Sequence, residues 1–365
     1  MSDQLKDMFD AARYRVIADE LSALSSSFDR ERFLAHTLDG LASRELMDRM
    51  RRTSEAVALS LPLAYRKQIE VLRALAPRIG HSFIGIFLSD FVAQHGLDDF
   101  GTSLDALKFF TRFGSAEFAI RPFIARDPAQ TLALMRDWSR DPDEHVRRLA
   151  SEGSRPRLPW GRRLTFLVTD PSPTFPILEN LRADPSLYVR KSVANHLNDI
   201  AKDHPDRVVA LLATWDASDA RTAWIIRQAL RTLIKAGDPR ALALIGAGTV
   251  AKLSDTRLTA TPRALMLGDT LTLAATFTSR SSKTQRLVID YVVHYARTRG
   301  SAARKVFKWK ALDLPPRSTA TLSKRQVIRD FSTRRHHPGA HRIELQINGR
   351  ILAETTFSLS VGRSH

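Results

Sequence analysis

Cysteine is missing from all 365 residues. That excludes disulfides and thiolate metal sites and leaves the redox compartment open. No run is apolar for long enough to span a bilayer, and the opening MSDQLKDMFD is polar and acid-bearing where a secretory leader needs an apolar core. A cytoplasmic protein with no membrane partner is the expectation. The glycine-containing stretches at 246–248 and 79–85 match neither the dinucleotide nor the P-loop pattern, and no nucleophile elbow occurs. The 11 histidines never fall as a helical His-x-x-x-His beside a third ligand, and the neighbours His336 and His337 point apart in a loop. Neither a metal nor a cofactor is expected. Acidic residues are also in deficit.

That deficit is large: 56 Lys+Arg against 39 Asp+Glu give a formal charge of +17. A surplus of this size favours a polyanionic partner, and nucleic acid fits better than an anionic membrane because no basic amphipathic helix stands out. The charge is unevenly placed. Residues 255–365 hold 20 Lys+Arg against 7 Asp+Glu, so +13 of the +17 lies there.

The first 245 residues read as helices, and length and composition allow two domains. Asp29 is a cap before RERFLAHTLDGL, and the apolar 82–92 stretch predicts a buried helix whose Phe83, Phe87 and Phe91 stripe belongs to the core. Ser115 reads as the cap of a helix carrying Glu117 in its first turn. An internal repeat follows. DPDEHVRRLASE (141–152) aligns with DPSLYVRKSVANHL (184–197), 43 residues on, and SDARTAWIIRQAL (218–230) repeats the apolar-Arg pair again. Periods near forty with paired helices are the mark of a HEAT-like α-α superhelical solenoid. Stacked copies put Arg147, Arg190 and Arg227 in one row, either a solvated face or a line of phosphate contacts.

After a linker at 246–254 the period changes. Segments such as DTLTLAATFTS, QRLVIDYVVHYA and HRIELQIN alternate apolar and polar residues, and Asn348-Gly349 is a hairpin signal. About seven short strands in residues 255–365 predict a basic immunoglobulin-like β-sandwich, with Arg334 and Arg335 in one of its loops. The fold class is therefore mainly α, a helical solenoid followed by an all-β sandwich.

The stretch 141–163 concentrates the chemistry. Asp141-Pro142 starts a helix with Glu152 in its last turn, Gly153 stops it, and two prolines hold an extended loop bearing Arg155, Arg157, Trp160, Arg162 and Arg163. A carboxylate among arginines beside a tryptophan has a bland reading, a repeat-closing loop with Trp160 as a core plug. Arg112, Arg121, Arg148 and Lys191 complete the candidate phosphate contacts.

The strings FTRFGSAEFAIRPFI, VRRLASEGSRPRLPWG and DPSLYVRKSVANHLNDIAKDHPD resemble the AlkC branch of the HEAT-like alkylpurine DNA glycosylases, relatives of AlkD, and the likeness in organisation covers essentially the whole chain. The resemblance implies a monofunctional glycosylase that removes cationic alkylated bases, 3-methyladenine and 3-methylcytosine, from duplex DNA without flipping the base. By the family's pattern Glu117, Glu152 and Trp160 fall at its active-site acid and aromatic positions. The alternatives are a non-catalytic HEAT-repeat DNA-binding scaffold, in which both acids merely pair with arginines, and a HEAT-type platform for a folded protein partner.

Overall fold

The computed structural model describes residues 5–248, 250–297, 303–331 and 335–361. These form two compact units, one of Met1–His204 with Asp216–Ala229 and the other of Pro205–Trp215 with Leu230–His365. Arg334 lies outside the described residues.

The first unit is all helical. Its helices are α1 (Ala11–Leu24), α2 (Arg30–Leu38), α3 (Leu46–Ser60), α4 (Tyr65–Ile79), α5 (Ile86–His95), α6 (Phe100–Phe110), α7 (Arg121–Arg126), α8 (Pro128–Trp138), α9 (Glu144–Gly153), α10 (Thr165–Thr169), α11 (Phe175–Asn180), α12 (Leu187–Ile200) and, after a second-unit helix α13 (Pro205–Ala213), α14 (Ala220–Ala229). Asp29 caps α2 as the sequence predicts, its carboxylate accepting from Arg32 N at 3.0 Å. The helix expected over 82–92 begins later, at Ile86, after a 3₁₀ turn over Phe83–Gly85. The reason is a backbone crossing: a Cβ on Gly85 would stand 2.6 Å from the Phe113 carbonyl oxygen. Phe83, in that turn, is only half-buried, whereas Phe87 and Phe91 are fully buried with Phe110 and Phe123 and belong to the core. Truncating any one of them to alanine would cost about 3–5 kcal/mol.

The repeat stacks as its periodicity requires. Helix α9 packs on α12 and α12 on α14. Each buries its apolar face against the next, Val146 and Leu149 on α9, Val189, Val193 and Leu197 on α12, Ile225 and Ile226 on α14.

The second unit holds α13, α15 (Arg231–Ala236), α16 (Pro239–Leu244) and a sandwich with eight strands among the described residues: β1 (Leu253–Thr261), β2 (Ala264–Met266), β3 (Thr270–Ser279), β4 (Gln285–Tyr295), β5 (Ala303–Leu314), β6 (Thr319–Val327), β7 (Gly339–Ile347) and β8 (Arg350–Ser360). One sheet runs β1-β3-β6, the other β2-β8-β7-β4-β5. Strand β1 starts inside the stretch read as a linker, and the short β2, following Pro262 and pairing parallel with β8, carries too few residues for a period to show. The hairpin at Asn348-Gly349 is present, both residues at positive φ and Ile347 paired with Arg350. Strand β4 is buried on both faces. Its inner residues Leu287, Ile289 and Tyr291 join the sandwich core. The outer face meets helices, where Gln346 Nε2 donates to the Lys235 carbonyl at 3.0 Å. The unit's last helices therefore belong to the sandwich, although in sequence they continue the helical series.

Candidate active site

The repeated Asp-Pro…Val-Arg motif has a structural use. Arg147 donates to the carbonyls of Asp141 and Pro142 at 3.0 and 2.8 Å and grips the Asp184 carboxylate at 2.7 and 3.1 Å. Arg190 repeats the pattern one copy later, on the carbonyls of Asp184 and Pro185 at 2.7 and 2.8 Å. These arginines tie each repeat's entry loop to its second helix. The expected row of phosphate contacts is thus broken: Arg147 and Arg190 are engaged internally, and only Arg227, on α14, is exposed. Because each guanidinium has carbonyls five and six residues back within reach, a local ladder wins over the solvated face.

Glu117 lies in a turn before α7, because the helix begins only at Arg121. Ser115 is not its cap; its hydroxyl accepts from Arg148 Nη1 at 2.7 Å. Helix α9 starts two residues later than Asp141-Pro142 suggests, with Asp143 as the cap accepting from His145 N at 2.8 Å. On it, Arg148 and Glu152 face the same way, one turn apart. Arg148 donates to Glu117 at 3.0 and 3.4 Å and lies 3.9 Å from Glu152. One guanidinium therefore joins the two carboxylates, both of them buried. Burial lowers a guanidinium's pKa, but the charges of Glu117 and then Glu152 outweigh it, and Arg148 is shifted upward.

Glu152 is fully engaged. Its Oε1 accepts from Arg155 Nη1 and its Oε2 from the Ser192 hydroxyl, both at 2.5 Å. Arg155 also donates to Asp199 at 2.9 and 2.6 Å, and Lys202 adds a further bond to Asp199 at 2.9 Å. Arg155 is thus buried as the centre of a carboxylate pair and does not point from a loop toward phosphate. Behind it His196 is fully buried and neutral, its pKa pushed down to about 3 by burial and then by Arg155.

The loop after α9 is turned and pinned, not extended. Arg121, 1% exposed, donates Nε to the Arg162 carbonyl at 2.6 Å and Nη1 to the carbonyls of Gly153 and Arg155 at 2.8 Å each. Its pKa is pushed down to about 10, first by burial and next by Arg155. Arg121 is therefore a clamp on the loop backbone and has no exposed surface for a phosphate. Leu158 and Leu164 anchor the loop from below. Trp160 stands out, 66% exposed and at φ 64°, a conformation a bulky side chain adopts only when its surroundings impose it. The core-plug reading of Trp160 is excluded by that exposure.

The remaining candidates divide by burial. Arg162, Arg163, Lys191 and, in the second unit, Arg335 are exposed. Arg157 pairs with Asp203 at 2.8 Å, and Arg112 is half exposed while paired with Asp143 at 3.3 Å. Three residues escaped sequence reasoning: Ser192 and Asp199, which complete the Glu152 network, and Tyr188, whose ring lies under Arg148 at 4.9 Å. Their spacing on α12, i, i+4 and i+11, puts them on one helix face. Polar residues on the inward face of a repeat helix are the signal that could have found them. Tyr188 is 40% exposed and continues a row of rings through His145 to His81, with centroids 5.7 and 4.9 Å apart. Among the described residues, no helix is long and apolar enough to cross a membrane.

Comparison with known proteins gives the family of the chain. Residues 108–233, which contain Glu117, Arg148, Glu152, Trp160 and Asp199, match the family model described as DNA alkylation repair enzyme. Residues 254–361 match the model for the C-terminal Ig-like domain of the uncharacterised protein YhaZ. YhaZ of Bacillus subtilis strain 168 is 37% identical over 356 residues, covering 97% of this chain and 99% of the relative. The solved structure of the Pseudomonas fluorescens alkylpurine DNA glycosylase AlkC, bound to DNA containing an abasic site analog, superposes with a TM-score of 0.93 at 47% identity, covering 98% of this chain and 99% of that one. With both the helical region and the sandwich matched end to end, this chain belongs to the AlkC family of DNA alkylation repair proteins.

Proposed function

We propose that this protein is a monofunctional DNA glycosylase that hydrolyses the N-glycosidic bond of cationic alkylated bases, 3-methyladenine and 3-methylcytosine, in duplex DNA. The observation that carries the reading is the pair of buried carboxylates, Glu117 and Glu152, held about the single guanidinium of Arg148 in the helical unit. The likeness to AlkC supports it. Cleavage builds oxocarbenium character on the deoxyribose, and a preorganised carboxylate in a partly dry site stabilises that charge and orients the attacking water. A cationic base is already a good leaving group, so the step needs no general acid. Among the described residues, Glu117 accepts hydrogen bonds from one side chain only, Arg148. It is the carboxylate with lone pairs left for water or the sugar, and Glu152 is the one that sets the field behind it.

Trp160 offers its π-face to the cationic lesion, a contact worth about 0.5–2 kcal/mol that a neutral base does not gain. The exposed Arg162, Arg163, Lys191, Arg227 and Arg112, and Arg335 of the basic sandwich, hold phosphates and position the strand without reading sequence. In this reading the protein reaches the sugar by bending the duplex, without extruding the base into a pocket. It works where the chromosome is, in the cytoplasm.

A second reading has one observation in its favour: every buried carboxylate at the site has a cationic partner, as in a purely structural network. Glu117→Gln separates the two. With methylated duplex DNA and chelator present, the glycosylase releases free base and leaves an unbroken abasic strand. The variant should release it roughly 10²–10³-fold more slowly without losing DNA affinity. No base release by the unaltered protein, with tight salt-sensitive binding, would establish the non-catalytic scaffold instead.

A further inference from the structure

The two carboxylates are held in different ways. Glu152 has both oxygens occupied, its partner Arg155 is shared with Asp199, and the side chains of all three are 6–8% exposed. Among the described residues Glu117 has Arg148 alone as its ion-pair partner, and the Arg148 side chain is 16% exposed. The other contacts of Arg148 are weaker: Glu152 at 3.9 Å, the uncharged Ser115 hydroxyl at 2.7 Å and the face of Tyr188, itself 40% exposed and next to exposed Leu187. The Glu152 network is closed, and the Glu117–Arg148 pair opens to the surface along Tyr188.

Charge bookkeeping makes that difference matter. Arg121, Arg148 and Arg155 balance Glu117, Glu152 and Asp199, and Lys202 adds one more positive charge at Asp199. While Arg148 keeps Glu117, a cationic sugar meets no net negative charge. Resting on the glycosylase reading, we propose that Arg148 is a placeholder for the cationic transition state: a DNA backbone phosphate takes its guanidinium, and the released Glu117 carboxylate turns to the lesion. A guanidinium fork donates bidentately to phosphate as it does to carboxylate, so the exchange replaces like with like. In the free protein the exchange partner is absent and the buried carboxylate never stands without a counter-ion, which would be costly. Arg148 is then a positioning residue that acts through Glu117. It makes the carboxylate available only when the strand is in register, which couples lesion recognition to backbone docking.

The test uses the full-length protein and two duplexes, one with a neutral tetrahydrofuran abasic site and one with a cationic pyrrolidine abasic site, titrated from 50 to 200 mM salt. For Arg148→Gln, the slope of log K against log salt should become shallower by about 0.9 on both duplexes, the loss of one phosphate contact. The preference for the cationic duplex should stay at the starting level or rise, because Glu117 no longer has to change partners. Arg148→Lys should restore the slope. An unchanged slope, or a shallower slope with the cationic preference gone, overturns the exchange. Glu117→Gln gives an independent reading should Arg148→Gln not fold: freeing Arg148 in advance should raise affinity for the neutral duplex several-fold, and an unchanged neutral affinity rejects the proposal. If the unaltered protein releases no base and does not distinguish the two duplexes, the glycosylase reading itself falls and the exchange with it, a result distinct from any slope change.

Discussion

Replacing Arg155 by methionine is the sharpest perturbation of the buried network. Arg155 sits between Glu152 at 2.5 Å and Asp199 at 2.6 Å, with the side chains of all three nearly sealed from solvent. Methionine fills the volume and removes the charge, leaving two buried carboxylates short of a cation. Lys202 compensates Asp199 in part, but its side chain is half exposed and so screened. Taking one partner from a buried pair costs about 3–5 kcal/mol. At 2–4 °C per kcal/mol for a unit of this size, the melting point of the helical unit should fall by roughly 6–20 °C. Urea unfolding followed by circular dichroism gives the free energy, and calorimetry gives Tm. A second substitution, Asp199→Asn, removes one of the stranded charges, so the double variant should be more stable than the sum of the singles by about 0.5–3 kcal/mol. A loss below about 1 kcal/mol for Arg155→Met, or strict additivity with Asp199→Asn, would refute the reasoning that these groups form one coupled cluster.

Two further outcomes are expected. Trp160→Ala should leave stability within about 0.5 kcal/mol, since the ring is 66% exposed, while base release from cationic lesions falls roughly 2- to 30-fold; a stability loss of several kcal/mol would mean the ring is packed after all. His196, whose pKa is lowered to about 3, binds its proton in the unfolded chain but not in the folded one between that value and the ordinary range near 6.5. Its contribution is therefore fully present above about pH 6.5 and is lost as pH falls, at a slope approaching 1.4 kcal/mol per pH unit. His196→Asn should flatten the stability profile between pH 6.5 and 4 in urea titrations, and an unaltered slope would show that another group carries it.

Much of this architecture was legible in the chain. The near-forty-residue repeat, the change to period two and the Asn348-Gly349 turn each follow from local rules, because helix faces, strand faces and positive-φ turns are fixed by residues close in sequence. The same locality explains the boundary errors. Asp141-Pro142 and Ser115 are good start signals by type, but which of several neighbouring polar residues caps a helix depends on what else competes for it. Asp143 captured α9, and Arg148 claimed the Ser115 hydroxyl.

The site residues show where sequence stops. Glu117, Glu152 and Trp160 were named from short strings, and the acid-among-arginines pattern was visible. The partner of each arginine was not. Sequence alone counts cations and gives their period, so Arg147, Arg190, Arg121 and Arg155 looked like phosphate ligands. Tertiary structure decided otherwise, because a guanidinium's reach of several ångströms lets it find carbonyls and carboxylates on other repeats, and a buried charge must be matched there. The residues that match it, Ser192 and Asp199 on α12, are some forty positions away from the helix they serve. Composition and periodicity determined a basic, solenoid-plus-sandwich chain. Only packing decided which of its charges were locked inside and which, with Trp160, were left facing out, because pairing energy depends on distances that sequence spacing does not contain.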